Sequence, residues 1–269
     1  MILILSEENE LSTNYVIDWL NYYQSSYIRV NQEDEIILSE FNLENSEIDL
    51  NLSSNDYSFN LSDISCVWYR RGFINLKFFL FGKNLKDNIK DRVRNEYSQF
   101  SSFLYELLFN KPSLNSFQHA VVDKLLVLNK AKQLDLKIPQ TYLVRSKRKL
   151  QSILNSHDII SKGIFETIDC KFNGYQIRGL TQEISKDDLK RIPDNFELSM
   201  VQQKLSKKYE IRSFILDNNV YSMAIFSQTN SKTELDFRNY DDIKPNRTVP
   251  YNLPTEIEKK LVALEGLPI

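Results

Sequence analysis

Cysteine, histidine and glycine are all scarce in this chain. Two Cys (Cys66, Cys170) and two His (His119, His157) cannot furnish a Cys/His zinc centre, and two thiols give no material for a disulfide framework. With six glycines there is no G-x-x-x-x-G-K-[ST], G-x-G-x-x-G or G-x-S-x-G, which removes P-loop nucleotidases, classical dinucleotide binders and α/β-hydrolases. Long apolar runs are missing too. No stretch approaches the roughly 20 apolar residues of a membrane span, and the aromatic run at 73–81 is broken by Lys77. The apolar start at 1–5 is too short for a signal h-region and has no basic n-region. Free thiols without an export signal predict a cytoplasmic protein.

What is present is a globular composition, 42% hydrophobic and 12% aromatic over 269 residues, enough for one large or two ordinary domains. Charge is balanced in sum and unbalanced in place. Residues 1–66 hold 13 of the 36 acids and one of the 34 bases, Arg29, so the remaining 203 residues carry a basic excess. Two modules with separate duties follow. Either the basic part attracts phosphates or an acidic peptide, or the halves hold each other by complementary surfaces; the sequence leaves both open. Nucleic acid is not an expected partner, because the basic excess is dispersed and no recognised module accompanies it.

Periodicity gives a coarse outline. A buried strand is predicted at 1–5, then an N-cap at Ser12-Thr13-Asn14 opening a helix over 15–23. Short strands follow at 27–30 and 36–38, and a continuous β-former run at 64–69 closes on Arg70-Arg71-Gly72. Strand alternating with helix predicts a mostly parallel sheet. Helical periodicity returns over 87–108 and stops before Asn110-Lys111-Pro112. A second unit opens with a helix over 123–136, its stripe formed by Leu125, Leu128, Ala131 and Leu134, and continues with strands at 142–144 and 158–162. The runs at 209–216 and 220–227 read as a hairpin joined by Asp217-Asn218-Asn219.

Several side chains stand where chemistry is done, each with a plainer reading beside it. Lys124 begins a helix and Lys162 ends a strand beside Gly163; either can meet a phosphate as a point charge, or be a solvated surface lysine. The strand-like segment Met200-Val201-Gln202-Gln203-Lys204-Leu205 can offer backbone groups to a flat base. Glu210 and Arg212 share a strand face with Phe214 and Leu216, as expected where a strand runs from a cleft into a core, or where an ion pair sits on an exposed sheet. Asp236 and Arg238, two apart on an extended chain, point the same way and act together on a ligand or pair with each other in a loop. Arg70 and Arg71 lie at a strand's C-terminal end, where open α/β sheets bind ligands, or form a basic rim against the acidic segment.

Taken in order, V-W-Y-R-R-G (67–72), D-K-L-L-V-L-N-K-A-K-Q-L-D-L-K-I-P-Q-T (123–141), K-Y-E-I-R-S-F-I-L-D-N-N-V-Y-S (208–222), L-D-F-R-N-Y (235–240) and V-P-Y-N-L-P (249–254) resemble the ATP-grasp fold. The likeness is to ATP-grasp peptide maturases of the grasp-with-spasm type, relatives of the microviridin and other graspetide ligases. It implies an α/β (α+β) chain with a Rossmann-like pre-ATP-grasp domain at 1–115 and an ATP-grasp domain at 116–269. It also implies residue roles. Lys124 and Lys162 would touch ATP phosphates. Gln202, Gln203, Lys204 and Leu205 would form the adenine hinge, and Glu210 would meet the ribose. Arg212 would face the phosphates or an acyl phosphate, and Asp236 and Arg238 would engage the reacting acidic side chain.

The implied reaction activates a carboxylate of a ribosomally made precursor peptide, leader plus core, for ester or amide ring closure. The implied alternatives are an inactive relative that binds precursor peptide or a partner ligase, and a glutamate ligase acting on a protein tail. A homodimer is a further expectation. The family holds Mg2+ through a late Asp and an E-x-N run, and neither follows L-V-A-L-E-G-L-P-I (261–269). The expectation is therefore an incomplete ATP-grasp domain without metal ligands, a poor or dead catalyst that needs a partner to cover apolar sheet.

Overall fold

A computed structural model of the chain describes residues 1–44, 47–78, 87–117, 122–165, 169–172 and 174–265. Part of the aromatic run at 73–81, His119 and the end of the motif at 261–269 fall outside them, as does the side chain of Cys170. The chain divides into two compact units, Met1–Ala120 and Val121–Ile269, a later division than the expected 115/116.

The first unit runs β1 (Ile2–Ser6), α1 (Leu11–Tyr22), β2 (Tyr27–Asn31), β3 (Glu35–Glu44), β4 (Glu47–Ser53), β5 (Ser58–Asn60), β6 (Cys66–Tyr69), β7 (Asn75–Leu76), α2 (Asp87–Phe109) and β8 (Ser113–Leu114). The expected parallel sheet is there, in the order β2-β1-β6-β8, with every neighbouring pair parallel. β1 is apolar from Ile2 to Leu5 because a parallel strand is covered on both faces, and Leu3, Ile4 and Leu5 are fully buried. A second sheet, β5-β4-β3-β7, corrects the simple alternation of strand and helix, since β3 and β4 pair antiparallel. Most of β3 is exposed, so few of its positions carry the apolar alternation that announces a half-buried strand.

Helix α1 begins earlier than predicted. Its N-cap is Glu10, whose carboxylate accepts from the Thr13 amide at 2.7 Å and from the Ser12 and Thr13 hydroxyls at 2.6 and 3.0 Å. A carboxylate with three donors satisfies the helix start better than Ser12 could alone. Arg70 adds a fourth, donating to Glu10 at 2.9 Å, and Arg71 lies 3.8 Å from Glu7. The basic pair after β6 thus holds the acidic segment of its own unit. Gly72 follows because the chain there has φ +70, and a Cβ would stand 2.3 Å from the Ser6 carbonyl oxygen. The core closes on Leu104 and Leu108 of α2, one turn apart, against Leu3, Leu50 and Leu52.

The second unit runs α3 (Lys124–Gln133), β9 (Thr141–Ser146), α4 (Lys147–Leu154), β10 (Ile159–Lys162), β11 (Asp169–Phe172), β12 (Tyr175–Arg178), β13 (Gln182–Ile184), β14 (Asn195–Gln203), β15 (Glu210–Leu216), β16 (Asn219–Phe226), β17 (Arg247–Pro250) and α5 (Thr255–Glu265). Asp123 caps α3 through the amides of Leu125 and Leu126, and the helix ends sooner than the predicted 136. Four antiparallel strands in the order β13-β10-β14-β9 bury Val144, Ile159 and Val201 against Leu150 and Ile153 of α4. The hairpin β11–β12 and the sheet β15-β16-β17 complete the unit.

Asp217 and Asn218, at φ 49 and 63, close the β15–β16 hairpin as a two-residue turn, so Asn219 is already strand. The expected burial of this hairpin is overturned: Phe214 and its cross-strand partner Tyr221 are 63% and 59% exposed, and Leu216 is exposed too. Strand alternation fixes which residues share a face; what covers that face is set by the rest of the fold.

Candidate functional site

A cleft of about 1050 Å³ opens in the second unit, between the end of β10, the end of β14, the start of β15 and the loop at 227–238. Sequence reasoning named ten site residues. Nine line this cleft: Lys124, Lys162, Gln202, Gln203, Lys204, Leu205, Glu210, Asp236 and Arg238. They come from positions 124 to 238, and the antiparallel pairing of β14 with both β9 and β10 gathers them. Arg212 is the exception. It is exposed on β15, two residues past Glu210 on the same face, beyond the cleft lining.

One wall is apolar and flat-sided: Val127, Leu128, Ile160 and Met200 beside the chain leaving β14. Gln202 is buried and donates to the Thr141 hydroxyl at 3.0 Å. The Gln203 and Lys204 amides are taken by the Gln140 and Asp158 carbonyls at 2.9 and 2.8 Å. The Leu205 amide has no acceptor among the described residues, which leaves a backbone donor at the cleft edge. Lys204 itself turns to Glu183 at 2.5 Å.

The opposite wall is charged. Lys124 donates to the Gly163 carbonyl at 2.7 Å and to the Phe165 carbonyl, clamping the loop that follows β10. Lys162 is partly buried, and among the described residues no hydrogen bond or ion pair engages its ammonium. Burial pushes it below the ordinary lysine range; Asp236 opposes that shift, Arg238 and Lys207 add to it, and Glu210 opposes it. An ammonium that the described residues leave unpaired, within the influence of Asp236, Arg238, Lys207 and Glu210, is a place for an anion.

Asp236 and Arg238 sit in a turn rather than on an extended strand, which corrects how they come to act together. The Asn239 amide donates to the Asp236 carbonyl at 3.0 Å, closing the turn. The guanidinium then folds back, Nε to Oδ1 at 2.9 Å and Nη2 to Oδ2 at 2.6 Å, while Thr181 donates to Oδ2 at 3.0 Å. Asp236 is 8% exposed. Burial raises its pKa, but the hydrogen bonds from Arg238 and Thr181 prevail and hold it at about 2. The same pair lifts Arg238 above its usual value. Nη1 has no partner among the described residues, so one edge of a bound guanidinium still faces the cleft.

Sequence reasoning missed Lys207, Thr181, Ser227 and Gln228. Lys207 donates to Glu210 at 2.7 Å, Ser227 donates to the same oxygen at 3.2 Å, and Gln228 donates to the Glu234 carbonyl at 2.9 Å. Lys207 stands three residues before Glu210 and was within reach of a local reading. Thr181 meets Asp236 only through the fold, 55 residues apart in sequence.

The cleft fits a nucleotide in size and in donors, with an apolar wall for a base and ammonium groups for phosphates. Among the described residues, no three His, Cys, Asp or Glu side chains converge on one point. No described helix is long and apolar enough to cross a membrane.

No family model matches the sequence, and no curated protein matches it. Solved structures do. A Chryseobacterium gregarium RiPP-associated ATP-grasp ligase, in complex with ADP and a leader and core peptide, superposes with a TM-score of 0.78 at 20% identity, over 98% of this chain and 80% of that one. The macrocyclase MdnC from Microcystis aeruginosa MRC, bound with precursor peptide MdnA, gives 0.72 at 23% identity over 98% and 82%. The ATP-grasp ligase PsnB, complexed with minimal precursor, Mg and ADP, gives 0.65 at 14% identity over 98% and 79%. The expected fold class is borne out: the chain is a mixed α/β protein with the architecture of ATP-grasp peptide ligases.

Proposed function

We propose that the chain is an ATP-dependent, ligase-type maturase of a ribosomally made peptide, activating acidic side chains for ester or amide ring closure. One observation carries the reading. Nine residues named for nucleotide and carboxylate handling converge on a single cleft, around a lysine ammonium that the described residues leave unpaired. The solved structures of like fold, holding ADP with leader and core peptide or precursor peptide, support the same reading.

ATP would pass its γ-phosphoryl group to an unreactive peptide carboxylate, releasing ADP, and a neighbouring hydroxyl or amine would then attack the acyl carbon, expelling inorganic phosphate and losing a proton. The chain's residues make that transfer possible. Gln202 to Leu205 form the hinge for the base, with the Leu205 amide free to donate. Glu210, held by Lys207, accepts from the ribose. Lys162 neutralises phosphate charge and Lys124 keeps the loop at 163–165 in place over it. Arg238, oriented by Asp236, receives the peptide carboxylate at its free edge. On this reading 116–269 is the ATP-grasp domain and 1–115 the pre-ATP-grasp domain.

Calorimetry with ATP tests it. Lys162→Ala and Glu210→Ala should each weaken binding about ten- to a hundredfold, the worth of a charge-assisted contact, without unfolding the protein. ATP binding of unchanged strength in both variants would take these residues out of the site.

A further inference from the structure

The proposed nucleotide and carboxylate subsites meet at one side chain that the roles above leave as a mere support. Lys207 lies on the segment between β14 and β15, lines the cleft, and is about three-quarters covered. Its ammonium donates to Glu210 Oε1 at 2.7 Å and to the Leu235 carbonyl at 3.1 Å. Leu235 directly precedes Asp236, whose carboxylate carries the Arg238 fork. A second tie runs beside the first: Ser227, fully buried, donates to Glu210 Oε1, while Gln228 donates to both Ser227 and the Glu234 carbonyl. The loop at 230–239 is otherwise an irregular chain held by Thr233, by Thr181 on Asp236, by the Asn230 and Asn239 side chains and by its own turn.

We propose that Lys207 is a positioning residue that couples the two subsites, so that ligand engagement of Glu210 sets the order of the loop bearing Asp236 and Arg238. The inference rests on the proposed nucleotide site. Its physical basis is the sharing of one ammonium between two acceptors. A ribose hydroxyl donating to Glu210 holds that carboxylate in one orientation, which fixes the ammonium bound to it. The fixed ammonium in turn holds the Leu235 carbonyl. Without the lysine, Glu210 keeps only Ser227, and the loop loses its direct link to β15. An apolar side chain at 207 can fill the space but has no donor to bridge a carboxylate and a carbonyl.

Amide hydrogen exchange over 230–239, with and without the non-hydrolysable analogue AMP-PNP, tests the coupling, and calorimetry on the same samples reports nucleotide binding. In the wild type the analogue should slow exchange of the Glu234, Arg238 and Asn239 amides at least fivefold. In Lys207→Met that protection should disappear even at analogue concentrations that saturate the site. Lys207→Arg should recover most of it, and Lys208→Met, an exposed neighbour with the same charge loss, should behave as wild type. Full protection in saturated Lys207→Met would overturn the coupling, as would a wild type that binds AMP-PNP without any change in the loop. Absence of AMP-PNP binding in the wild type would instead remove the nucleotide site itself.

Discussion

The two units differ in how fully their basic side chains are paired. In the first, the basic side chains beside the sheet are spent on acids of the same unit: Arg70 on Glu10, Arg71 on Glu7, Lys77 on Glu35. A large aliphatic core lies beneath them. In the second, the core is smaller and, beside acids and bases that pair with one another, the cleft holds a lysine that the described residues do not pair. The same residue type closes a structure in one place and asks for a ligand in the other. What separates them is whether the chain supplies the counter-charge, because a charge withdrawn from water without a partner is costly.

The sharpest way to break that comparison is to damage each unit's specialty. Leu104→Ala, deep in the first unit, should cost about 2–5 kcal/mol of stability through lost burial and a residual cavity. It should lower the denaturation midpoint while ATP affinity, measured where the protein is still folded, stays within about twofold, a change of under about 0.5 kcal/mol. A matching loss of ATP affinity would mean that the core serves the cleft directly.

Arg238→Lys is the converse. It keeps the charge and removes the planar fork, so affinity for a peptide bearing core carboxylates should fall about tenfold, about 1.4 kcal/mol. Leader-only peptide should bind as before. Titration with the two peptides separates these outcomes, and equal loss for both would make the Asp236–Arg238 pair structural.

Lys162 gives a smaller, pH-dependent effect. Its pKa lies below the lysine range in the free protein, and phosphate beside it would favour the charged form. ATP affinity should therefore decline as pH rises through that lowered pKa, earlier than an ordinary lysine would allow. In Lys162→Arg, which stays protonated, the decline should vanish. An identical alkaline profile in both proteins would place the titrating group elsewhere.

The smallest effect compares one carboxylate from each unit. Burial raises the pKa of Glu10, but hydrogen bonds from Ser12 and Thr13 and the Arg70 charge outweigh it and bring the group from 4.5 to about 2. Asp236 falls from 3.8 to about 2, burial again opposing and Arg238 and Thr181 prevailing. A depressed folded pKa means stability present above the unfolded value and lost as pH falls through the folded one. Both contributions should fade between about pH 4.5 and 2. Glu10→Gln should blunt the acid loss of stability alone, and Asp236→Asn should also weaken peptide binding at neutral pH. Acid unfolding followed by circular dichroism, with peptide titration alongside, distinguishes the two.

The sequence by itself determined the apolar strand β1, the amphipathic α2 and the β15–β16 hairpin, because each is announced by local periodicity or turn chemistry. It also determined the roster of the cleft, since Lys162, Glu210, Asp236 and Arg238 stand in short runs whose residue types already suit anions. Only the tertiary structure decided what those residues do to one another. Glu10, which caps α1 through Ser12 and Thr13, is held in addition by Arg70, 60 positions away. Phe214 faces solvent because nothing in the described fold covers its side of the hairpin. Arg212 misses the cleft lining although it shares Glu210's face, and Thr181 becomes a support of Asp236 through a contact no spacing rule encodes. Periodicity and turn propensity act over a few bonds along the chain; pairing, burial and coverage depend on distances through space, and those exist only once the sheets have closed.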